Sequence, residues 1–270
     1  MRFSVLLSVY YKEQPIYFDL AVKSIWENQT IKPSEIILVQ DGPLTSELYA
    51  LIAIWQKKIG NVFRCIPLET NVGLGDALNI GLQHCSYDLI ARMDTDDIAD
   101  PKRFEKQLAI FEQANIDICG SWVTEFDQDE GFITGVRKLP ETHNEILEYA
   151  KLRCPINHPA VMYKKSVVEK AGGYQAMMWF EDYYLWARML MVGAKFYNIQ
   201  ESLVNMRAGM GQLERRSGLE YAKAEINFLT ALNSIGFLSK IDLYKMILLR
   251  VPIRLLPRKI IRFVYKKLRK

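Results

Sequence analysis

The segment Leu89-Ile90-Ala91-Arg92-Met93-Asp94-Thr95-Asp96-Asp97 indicates both the fold and the chemistry of this chain. An apolar run typical of a buried strand ends in three carboxylates within four positions. Such a cluster repels itself and is unfavourable to desolvate unless a cation or a hydrogen-bonded polyol neutralises it. Oxygen ligands of this kind suit Mg²⁺ or Mn²⁺, which commonly bridge to phosphate oxygens. An N-cap for a helix at Pro101 would need only one Asp, so the segment predicts a metal–nucleotide site at a strand end.

Strand-like and helix-like segments alternate along the first ~115 residues. We expect strands over residues 3–10, 36–39, 62–68 and 89–93, and helices over 19–27, 44–58, 74–84 and from 101 onward. This alternation favours an α/β fold with a mostly parallel, doubly wound, Rossmann-like sheet flanked by helices. Ligands of such sheets bind beyond the carboxyl ends of the strands. Tyr11, Glu13, Asp41 and the acidic segment all fall at such ends.

The pattern changes beyond Ile118. Segments 118–126 and 132–138 predict a hairpin across a polar turn, and a short strand is expected at 161–163. Helices are expected over 166–172, 181–192 and 219–232. Because no repeat or low-complexity linker interrupts the chain, residues 1 to about 235 are expected to form one domain.

Composition narrows the class of protein. The chain has 270 residues, of which 50% are hydrophobic and 24% charged, and it lacks the run of ~18 uncharged apolar residues that a membrane-spanning helix needs. Residues 3–9 are too short for a signal peptide and are better explained as a first core strand. The cysteines stand 20 or more residues apart without paired histidines: Cys65, Cys85, Cys119 and Cys154. This spacing argues against zinc and favours buried thiols in a reducing compartment, the cytoplasm.

Two loops after predicted strands are candidates for the site. Asp41 precedes Gly42-Pro43 and is either a plain turn residue or a ligand at a strand end. Residues 71–79 form a glycine loop leading into a helix, but the spacing of Gly73 and Gly75 fits neither a dinucleotide fingerprint nor a Walker A motif. That loop is therefore either simply flexible or part of the site without a standard motif.

Further candidates lie in the second half of the chain. Glu181 and Asp182 begin a predicted helix, where they either complement the helix dipole or supply a base for an attacking hydroxyl. Arg207 and the loop 209–212 offer a cation and mobility that could close over phosphates. His158, before Pro159, is either a structural loop histidine or a substrate contact.

Taken in order over residues 3–190, these motifs resemble those of the bacterial family 2 glycosyltransferases, which have the GT-A fold. The matching segments are 8–11, 37–42, 71–75, 91–97 with Pro101 and Arg103, 172–174, and 181–182 with Leu185 and Trp186. The last 80 residues match only loosely. The resemblance implies an inverting, metal-dependent hexosyltransferase that uses a nucleotide sugar, usually a UDP-sugar.

The resemblance also implies roles for individual residues. The nucleotide sugar would be bound by Val9, Tyr11, Glu13, Asp41, Gly73, Asn79, Arg92, Asp94 and Arg207. Asp94 and Asp96 would form the DxD pair, facing ribose and Mn²⁺ or Mg²⁺, with Asp97 as a further metal ligand because family members differ in which adjacent acid meets the metal. Asp182 would be the general base, and the acceptor would meet His158, Glu181 and Trp186. Residues 1–118 would then be the nucleotide-binding half and 119–235 the acceptor half.

Residues 236–270 are expected to form a basic amphipathic tail. From Lys240 onward there are eleven Lys or Arg against one acid, so this segment carries ten of the positive charges in a chain whose net charge is +4. An apolar stripe adjoins an arginine stripe: Leu249, Ile253, Leu256, Ile260 and Phe263 beside Arg250, Arg254, Arg258 and Arg262. Such stripes are typical of an interfacial helix on anionic lipid, which Pro252 and Pro257 would divide into two short segments. The alternative is a helix packed on the domain; nucleic-acid binding finds no supporting motif.

Resemblance and tail together predict a peripheral enzyme on the cytoplasmic face of the inner membrane. Its acceptor would be a polyprenyl-diphosphate-linked saccharide in O-antigen, capsule or exopolysaccharide synthesis. One rival, a sugar-1-phosphate nucleotidyltransferase, carries a glycine-rich loop with Arg and Lys after the first strand, where this chain has Tyr10-Tyr11-Lys12-Glu13. Another, a catalytically inactive scaffold of the same fold, is disfavoured by the intact Asp94, Asp96 and Asp182.

Overall fold

The computed structural model describes residues 1–127, 131–208 and 217–256. Its first half alternates strands and helices as the sequence predicts: β1 (Ser4–Val9), α1 (Pro15–Trp26), β2 (Glu35–Gln40), α2 (Ser46–Ile59), a 3₁₀ turn (Gly60–Val62), β3 (Phe63–Pro67), α3 (Leu74–His84) and β4 (Leu89–Arg92). The four strands pair in parallel in the order β3-β2-β1-β4. The order reverses between β1 and β4, and this reversal opens the crevice in which such sheets bind ligands.

The second half completes a mixed sheet. Its elements are β5 (Ile98–Ala99), α4 (Arg103–Gln113), β6 (Ile118–Phe126), β7 (Ile133–Arg137), α5 (His143–Ala150), a 3₁₀ turn (His158–Ala160), β8 (Met162–Lys164), α6 (Lys165–Lys170), α7 (Glu181–Met191) and β9 (Phe196–Arg207). The order continues β4-β8-β6-β9-β5, with β8 antiparallel to both neighbours and β6 parallel to β9. The predicted β6/β7 hairpin is confirmed, whereas α5, β5 and the twelve-residue β9 were not foreseen.

The core lies on both faces of the sheet. Because side chains alternate along a strand, Leu6 of β1 faces the layer built on α3 and α7, while Val5 and Leu7 face the layer built on α1, α2 and α4. Both faces of the parallel strands are covered, so these strands are apolar throughout rather than alternating. The loops at their carboxyl ends are thereby held on a rigid base.

Two helices close the described chain, α8 (Leu219–Ser234) and α9 (Lys240–Arg254). The wholly buried Glu225 of α8 pairs with Arg250 and Arg254. These two arginines therefore face the protein, whereas the stripe in the sequence had suggested that they face lipid. The helix also runs through Pro252 instead of ending there. The solvent-facing apolar side chains of α9 are Ile241, Tyr244, Leu248 and Leu249, followed by Leu255 and Leu256 just beyond its end, so Leu249 and Leu256 of the predicted apolar stripe are exposed.

Two predicted features fall outside the described residues. These are the loop 209–212 and the end of the tail, which includes Pro257, Arg258, Ile260, Arg262 and Phe263. Within the described ranges, every helix is too short or too polar to cross a bilayer. All four cysteines are free thiols, and burial raises the pKa of Cys65 to about 11 and that of Cys119 to about 12.

Candidate active site

The acidic segment lies at the reversal point of the sheet. Parallel pairing sets Leu6 of β1 beside Arg92 of β4, and the Met93 N–H donates to the Leu6 carbonyl at 3.1 Å. The Thr95 hydroxyl donates to the Glu13 carboxylate, so the loop after β4 is fastened to the loop after β1. Burial, together with the charge of Asp94, raises the pKa of Glu13. Glu13 and the acidic segment, separate in the sequence, therefore form one cluster.

Asp94, Asp96 and Asp97 converge as the sequence predicts. One carboxylate oxygen from each lies within 4.8 Å of the others. Burial, followed by the neighbouring charges of Asp94 and Glu13, raises the pKa of Asp96 to about 7. Burial and the carboxylates of Asp94 and Asp96 also raise the pKa of Asp97 well above its usual range. Burial and like-charge repulsion therefore disfavour the ionised forms of Asp96 and Asp97.

The contacts of Asp97 show where a cation fits. Its Oδ1 accepts the backbone N–H of Arg207 at 2.8 Å, while its buried Oδ2 has no hydrogen-bond partner. The Arg207 Nε donates to the carbonyl of Asp96 at 3.2 Å, so β9 brings this arginine to the acidic cluster. Oxygen donors in this number suit a small divalent cation. The three aspartates and the orphaned oxygen fit Mg²⁺ or Mn²⁺.

Two buried arginines, Arg92 and Arg103, lie next to the acidic segment on its core side. Arg92 is almost fully buried and pairs with Asp94. Arg103 donates to the Arg92 carbonyl at 2.6 Å, and burial and the Arg92 charge lower its pKa to about 9. The position of Arg92 does not support the expected contact with a nucleotide, because its guanidinium is closed off beneath Asp94. Its observed effect is to orient Asp94.

Asp41 fastens the glycine loop to the end of β2. Its carboxylate accepts the backbone N–H groups of Val72 at 2.7 Å and Gly73 at 3.1 Å, and the Asn71 side-chain amide at 2.9 Å. Gly42 follows with φ +84°, and any Cβ there would lie 2.6 Å from the Asn71 nitrogen. The structure therefore gives Asp41 a loop-holding function and places Gly73 immediately before the first residue of α3.

Asn79 connects α3 to the turn before α7. Its amide donates to the Tyr174 carbonyl and accepts the Tyr174 N–H, both at 2.8 Å. Gly173 has φ +66°, and a Cβ there would approach the Asn79 oxygen to 2.8 Å. Since both polar atoms of Asn79 are used on this turn, its position does not support the nucleotide contact expected from the sequence. It sets the position of Tyr174 instead.

A cavity of about 180 Å³ lies beside this turn. It is lined by Leu74, Gly75, Leu78, His158, Tyr174, Glu181 and Asp182. Asp182 accepts the N–H of Tyr183 at 2.7 Å, and the Cys154 thiol lies 3.8 Å from its other oxygen. Burial and the neighbouring Asp182 charge raise the pKa of Glu181. Arg92, which pairs with Asp94, donates its backbone N–H to the Val161 carbonyl at 2.9 Å, so the acidic cluster adjoins the segment that brings His158 to the cavity.

A family model described as "Glycosyl transferase family 2" matches residues 4–171. The chain belongs to glycosyl transferase family 2. It is 39% identical, over 98% of its length and 96% of the relative's, to the Escherichia coli protein named UDP-Gal:alpha-D-GlcNAc-diphosphoundecaprenol beta-1,3-galactosyltransferase. It is likewise 39% identical to the amylovoran biosynthesis glycosyltransferase AmsE of Erwinia amylovora, with 99% of each chain covered.

The fold of this glycosyltransferase is also that of a solved relative. S. aureus TarS 1–349, in complex with UDP-GlcNAc, superposes with a TM-score of 0.68 over 92% of this chain and 70% of that one. At 14% identity this likeness supports the fold alone. The family resemblance and the α/β fold expected from the sequence are thus both confirmed.

In this glycosyltransferase, His158 lines the cavity, whereas Trp186 lies behind it in the core. His158 Nε2 lies 2.9 Å from the Tyr174 hydroxyl, and its ring packs 5.9 Å from that of Trp186. Burial and the Arg92 charge hold the pKa of His158 well below its usual range, so the ring is neutral. Trp186 is fully buried, and its position does not support the acceptor contact expected from the sequence. It supports His158, which reaches the cavity.

The other residues that the sequence predicted for the nucleotide site, Val9 and Tyr11, also differ in exposure. The Val9 side chain is buried in the core and its carbonyl accepts the Asp41 N–H at 2.8 Å, so it contributes to the base of the site and not to its surface. Tyr11 is exposed at the end of β1. The structure adds Thr95 and Tyr174, which the sequence did not identify as site residues. Only their positions in the sequence could have indicated a site: Thr95 lies within the acidic segment, and Tyr174 follows a Gly-Gly pair.

Proposed function

We propose that this glycosyltransferase transfers a sugar, with inversion of configuration, from a UDP-sugar to a hydroxyl of a polyprenyl-diphosphate-linked saccharide in bacterial surface polysaccharide synthesis. The observation that carries the proposal is that the aspartate cluster and the Asp182 cavity flank one short segment, because Arg92 pairs with Asp94 and bonds Val161, three residues from His158 on the cavity wall. The substrate class is supported by the names of the two relatives, which match this chain over nearly its full length.

The donor would bind in the crevice between β1 and β4. Tyr11 and Glu13 at the end of β1, with the loop that Asp41 holds, would receive the nucleoside, and Arg207 would lie near the diphosphate. Asp94, Asp96 and Asp97 would hold Mg²⁺ or Mn²⁺, which would supply charge neutralisation for the departing diphosphate. The neutralising charge is needed because the acids alone resist ionisation.

Asp182 would act as the general base. It would remove the proton of the acceptor hydroxyl as that oxygen attacks the anomeric carbon from the face opposite the diphosphate. The bond from the anomeric carbon to the diphosphate oxygen breaks as the new glycosidic bond forms, and UDP leaves with its electron pair. Glu181 and His158 line the same cavity and would position the acceptor sugar.

A polyprenyl-linked acceptor would require the enzyme to work at a membrane. We propose peripheral attachment at the cytoplasmic face of the inner membrane through residues 236–270. The solvent-facing apolar stripe of α9 and the basic residues beyond Leu256 support this attachment, and the free thiols suit a reducing compartment. Flotation on anionic liposomes of the full chain against a chain truncated after Leu256 separates the two contributions, because α9 stays packed on α8 in both.

A donor and acceptor screen tests the reaction. UDP-glucose, UDP-galactose and their N-acetyl forms would be offered with a synthetic GlcNAc-diphosphate-lipid, with and without Mn²⁺, and the extended lipid-linked product measured. We expect metal-dependent product from one donor and none from Asp182→Asn. Formation of a UDP-sugar from UTP and a sugar 1-phosphate, or no transfer from any donor, would instead support the nucleotidyltransferase or scaffold alternative.

A further inference from the structure

The turn immediately before α7 exposes two apolar side chains beside the cavity. Trp179 has φ +66°, the one positive φ of a non-glycine residue among residues 1–127, 131–208 and 217–256. Such a conformation costs on the order of 1–3 kcal/mol in a bulky residue and calls for a functional explanation. The turn buries Phe180 against Phe228, with ring centroids 4.6 Å apart, and leaves Met178 66% and Trp179 41% exposed.

The C-terminal helices extend this exposed surface. The Trp179 ring lies 5.0 Å from that of Tyr221 in α8, and the Arg254 guanidinium covers the same Tyr221 ring at 4.9 Å. The Gly218 N–H donates to the Arg254 carbonyl at 2.9 Å, which brings the end of α9 to the start of α8. Leu219 is 61% and Leu255 55% exposed at this junction. We call Met178, Trp179, Leu219 and Leu255 the apolar ledge.

The basic residues after Leu256 and the Trp in the apolar ledge both favour an anionic bilayer as the partner of the ledge. The fourteen residues that follow Leu256 contain seven Lys or Arg and no acid. Each such residue near an anionic bilayer contributes about 1 kcal/mol of attraction. A Trp ring, apolar in its body and polar at its N–H, is favoured at the boundary between headgroups and acyl chains. The solvent-facing stripe of α9 continues the ledge with further apolar area, so the surface suits a bilayer better than a small ligand.

We propose that the apolar ledge docks on the anionic bilayer that carries the acceptor, with the mouth of the Asp182 cavity turned toward the headgroups. This orientation rests on the proposed function and deepens it. Glu181 and Asp182 follow Trp179 in the chain with only Phe180 between, so a lipid-linked sugar reaches the base while its hydrocarbon stays in the membrane. Docking would give the positive φ at Trp179 a function, because this turn leaves the Trp179 ring 41% exposed next to Tyr221.

Vesicle binding tests the docking without reference to catalysis. The probe is a vesicle of phosphatidylcholine with about one third phosphatidylglycerol, and the variant is Met178→Ser with Trp179→Asn, since Asn tolerates positive φ. We expect the apparent dissociation constant to rise about tenfold. The matched control is Ile54→Ser, which removes an apolar side chain 60% exposed on α2, in the layer on the opposite face of the sheet, and should leave binding unchanged. Equal binding by the ledge variant and the wild type would overturn the proposal.

Quenching of tryptophan fluorescence provides an independent measurement. Brominated phospholipid should quench the wild type, and the quenching should largely disappear in Trp179→Phe. Unchanged quenching would overturn the proposal, as would a wild-type dimer that the ledge variant dissociates, because the ledge would then bind a second copy of this chain.

A kinetic comparison separates failure of the docking from failure of the proposed function. The ledge variant should lose about tenfold in kcat/KM with a lipid-linked acceptor in vesicles but less than twofold with a water-soluble, short-chain analogue. An equal loss with both acceptors would overturn the docking proposal while leaving the transfer reaction intact. Absence of transfer by the wild type would contradict the proposed function, and the vesicle measurements would still decide the docking.

Discussion

The Tyr174 hydroxyl lies 2.9 Å from Nε2 of His158 on the wall of the cavity that Asp182 lines. Tyr174 is held from the other side by the two backbone hydrogen bonds to Asn79. Because burial and the Arg92 charge keep His158 neutral, this contact joins two uncharged groups and orients the imidazole at the acceptor side. The pair thus connects the Asn79 side chain of α3 to the imidazole that lines the cavity.

Tyr174→Phe isolates that hydrogen bond. The aromatic ring and the hydrogen bonds between Asn79 and the Tyr174 backbone remain, so we expect the Tm to change little. Losing the hydrogen bond that orients His158, worth about 1 kcal/mol, should lower kcat/KM roughly fivefold. The measurement is steady-state transfer at varied acceptor concentration. Tyr244→Phe, an exposed position on α9, is the control. Unaltered kinetics for Tyr174→Phe would show that the His158 ring needs no such support.

Asp182→Asn tests the general base. The amide is nearly isosteric but cannot take a proton, so we expect kcat to fall by about 10²–10⁴. Calorimetric binding of UDP with Mn²⁺ should stay as in the wild type, since the nucleotide site lies at the β1/β4 crevice. Glu181→Gln, in the same cavity, should reduce activity much less. Near-normal turnover by Asp182→Asn would remove Asp182 from this role.

The acidic cluster predicts a pH dependence of stability. The folded-state pKa of Asp96, about 7, and the raised pKa of Asp97 lie above the usual carboxyl range near 4. The metal-free folded protein therefore retains protons that the unfolded chain has released, and its stability falls as pH rises from about 4 through 7. We expect a lower Tm in EDTA at pH 8 than at pH 5, and a recovery on adding Mn²⁺ that is larger at pH 8. Asp96→Asn should weaken both effects; a Tm insensitive to Mn²⁺ would contradict the metal site.

The sequence was sufficient for those parts of the site that depend on neighbours along the chain. The acidic segment after β4 and the acids opening α7 were predictable, because strand and helix signals adjoin them directly. The functions of Asn79 and Trp186 were not, since Asn79 bonds a residue 95 positions away and Trp186 is buried beneath His158. β9 escaped prediction for a similar reason: its six apolar residues do not alternate regularly with the polar ones, and its pairing with β6 is established only by the fold. Arg250 and Arg254 resembled a lipid-facing stripe because the buried Glu225 lies on another helix.

Asn79→Ala tests whether Asn79 holds the Tyr174 backbone rather than contacting the nucleotide. Two buried backbone groups of Tyr174 lose their partner, so we expect the free energy of unfolding to fall by about 1–3 kcal/mol. If Asn79 does not touch the nucleotide, the KM for the UDP-sugar should change less than twofold. Gln83→Ala, exposed on the same helix, controls for helix propensity. A large rise in donor KM with an unchanged unfolding free energy would restore Asn79 to the nucleotide site.

Glu225→Gln tests how α9 is held on α8. Glu225 is wholly inaccessible to solvent and accepts Arg254 Nε at 2.7 Å while also pairing with Arg250. Removing its charge takes away the buried carboxylate with which both guanidinium groups pair, and breaking a buried ion pair typically costs about 3–5 kcal/mol. We therefore expect a large fall in the free energy of unfolding measured in urea, whereas Glu220→Gln, on the exposed side of α8, should have an effect below about 0.5 kcal/mol. Because Arg254 also covers Tyr221, which packs on Trp179, the same variant should increase the solvent exposure of Trp179, and its fluorescence should shift to the red. A stable Glu225→Gln protein with unshifted fluorescence would show that apolar packing alone holds α9 in place.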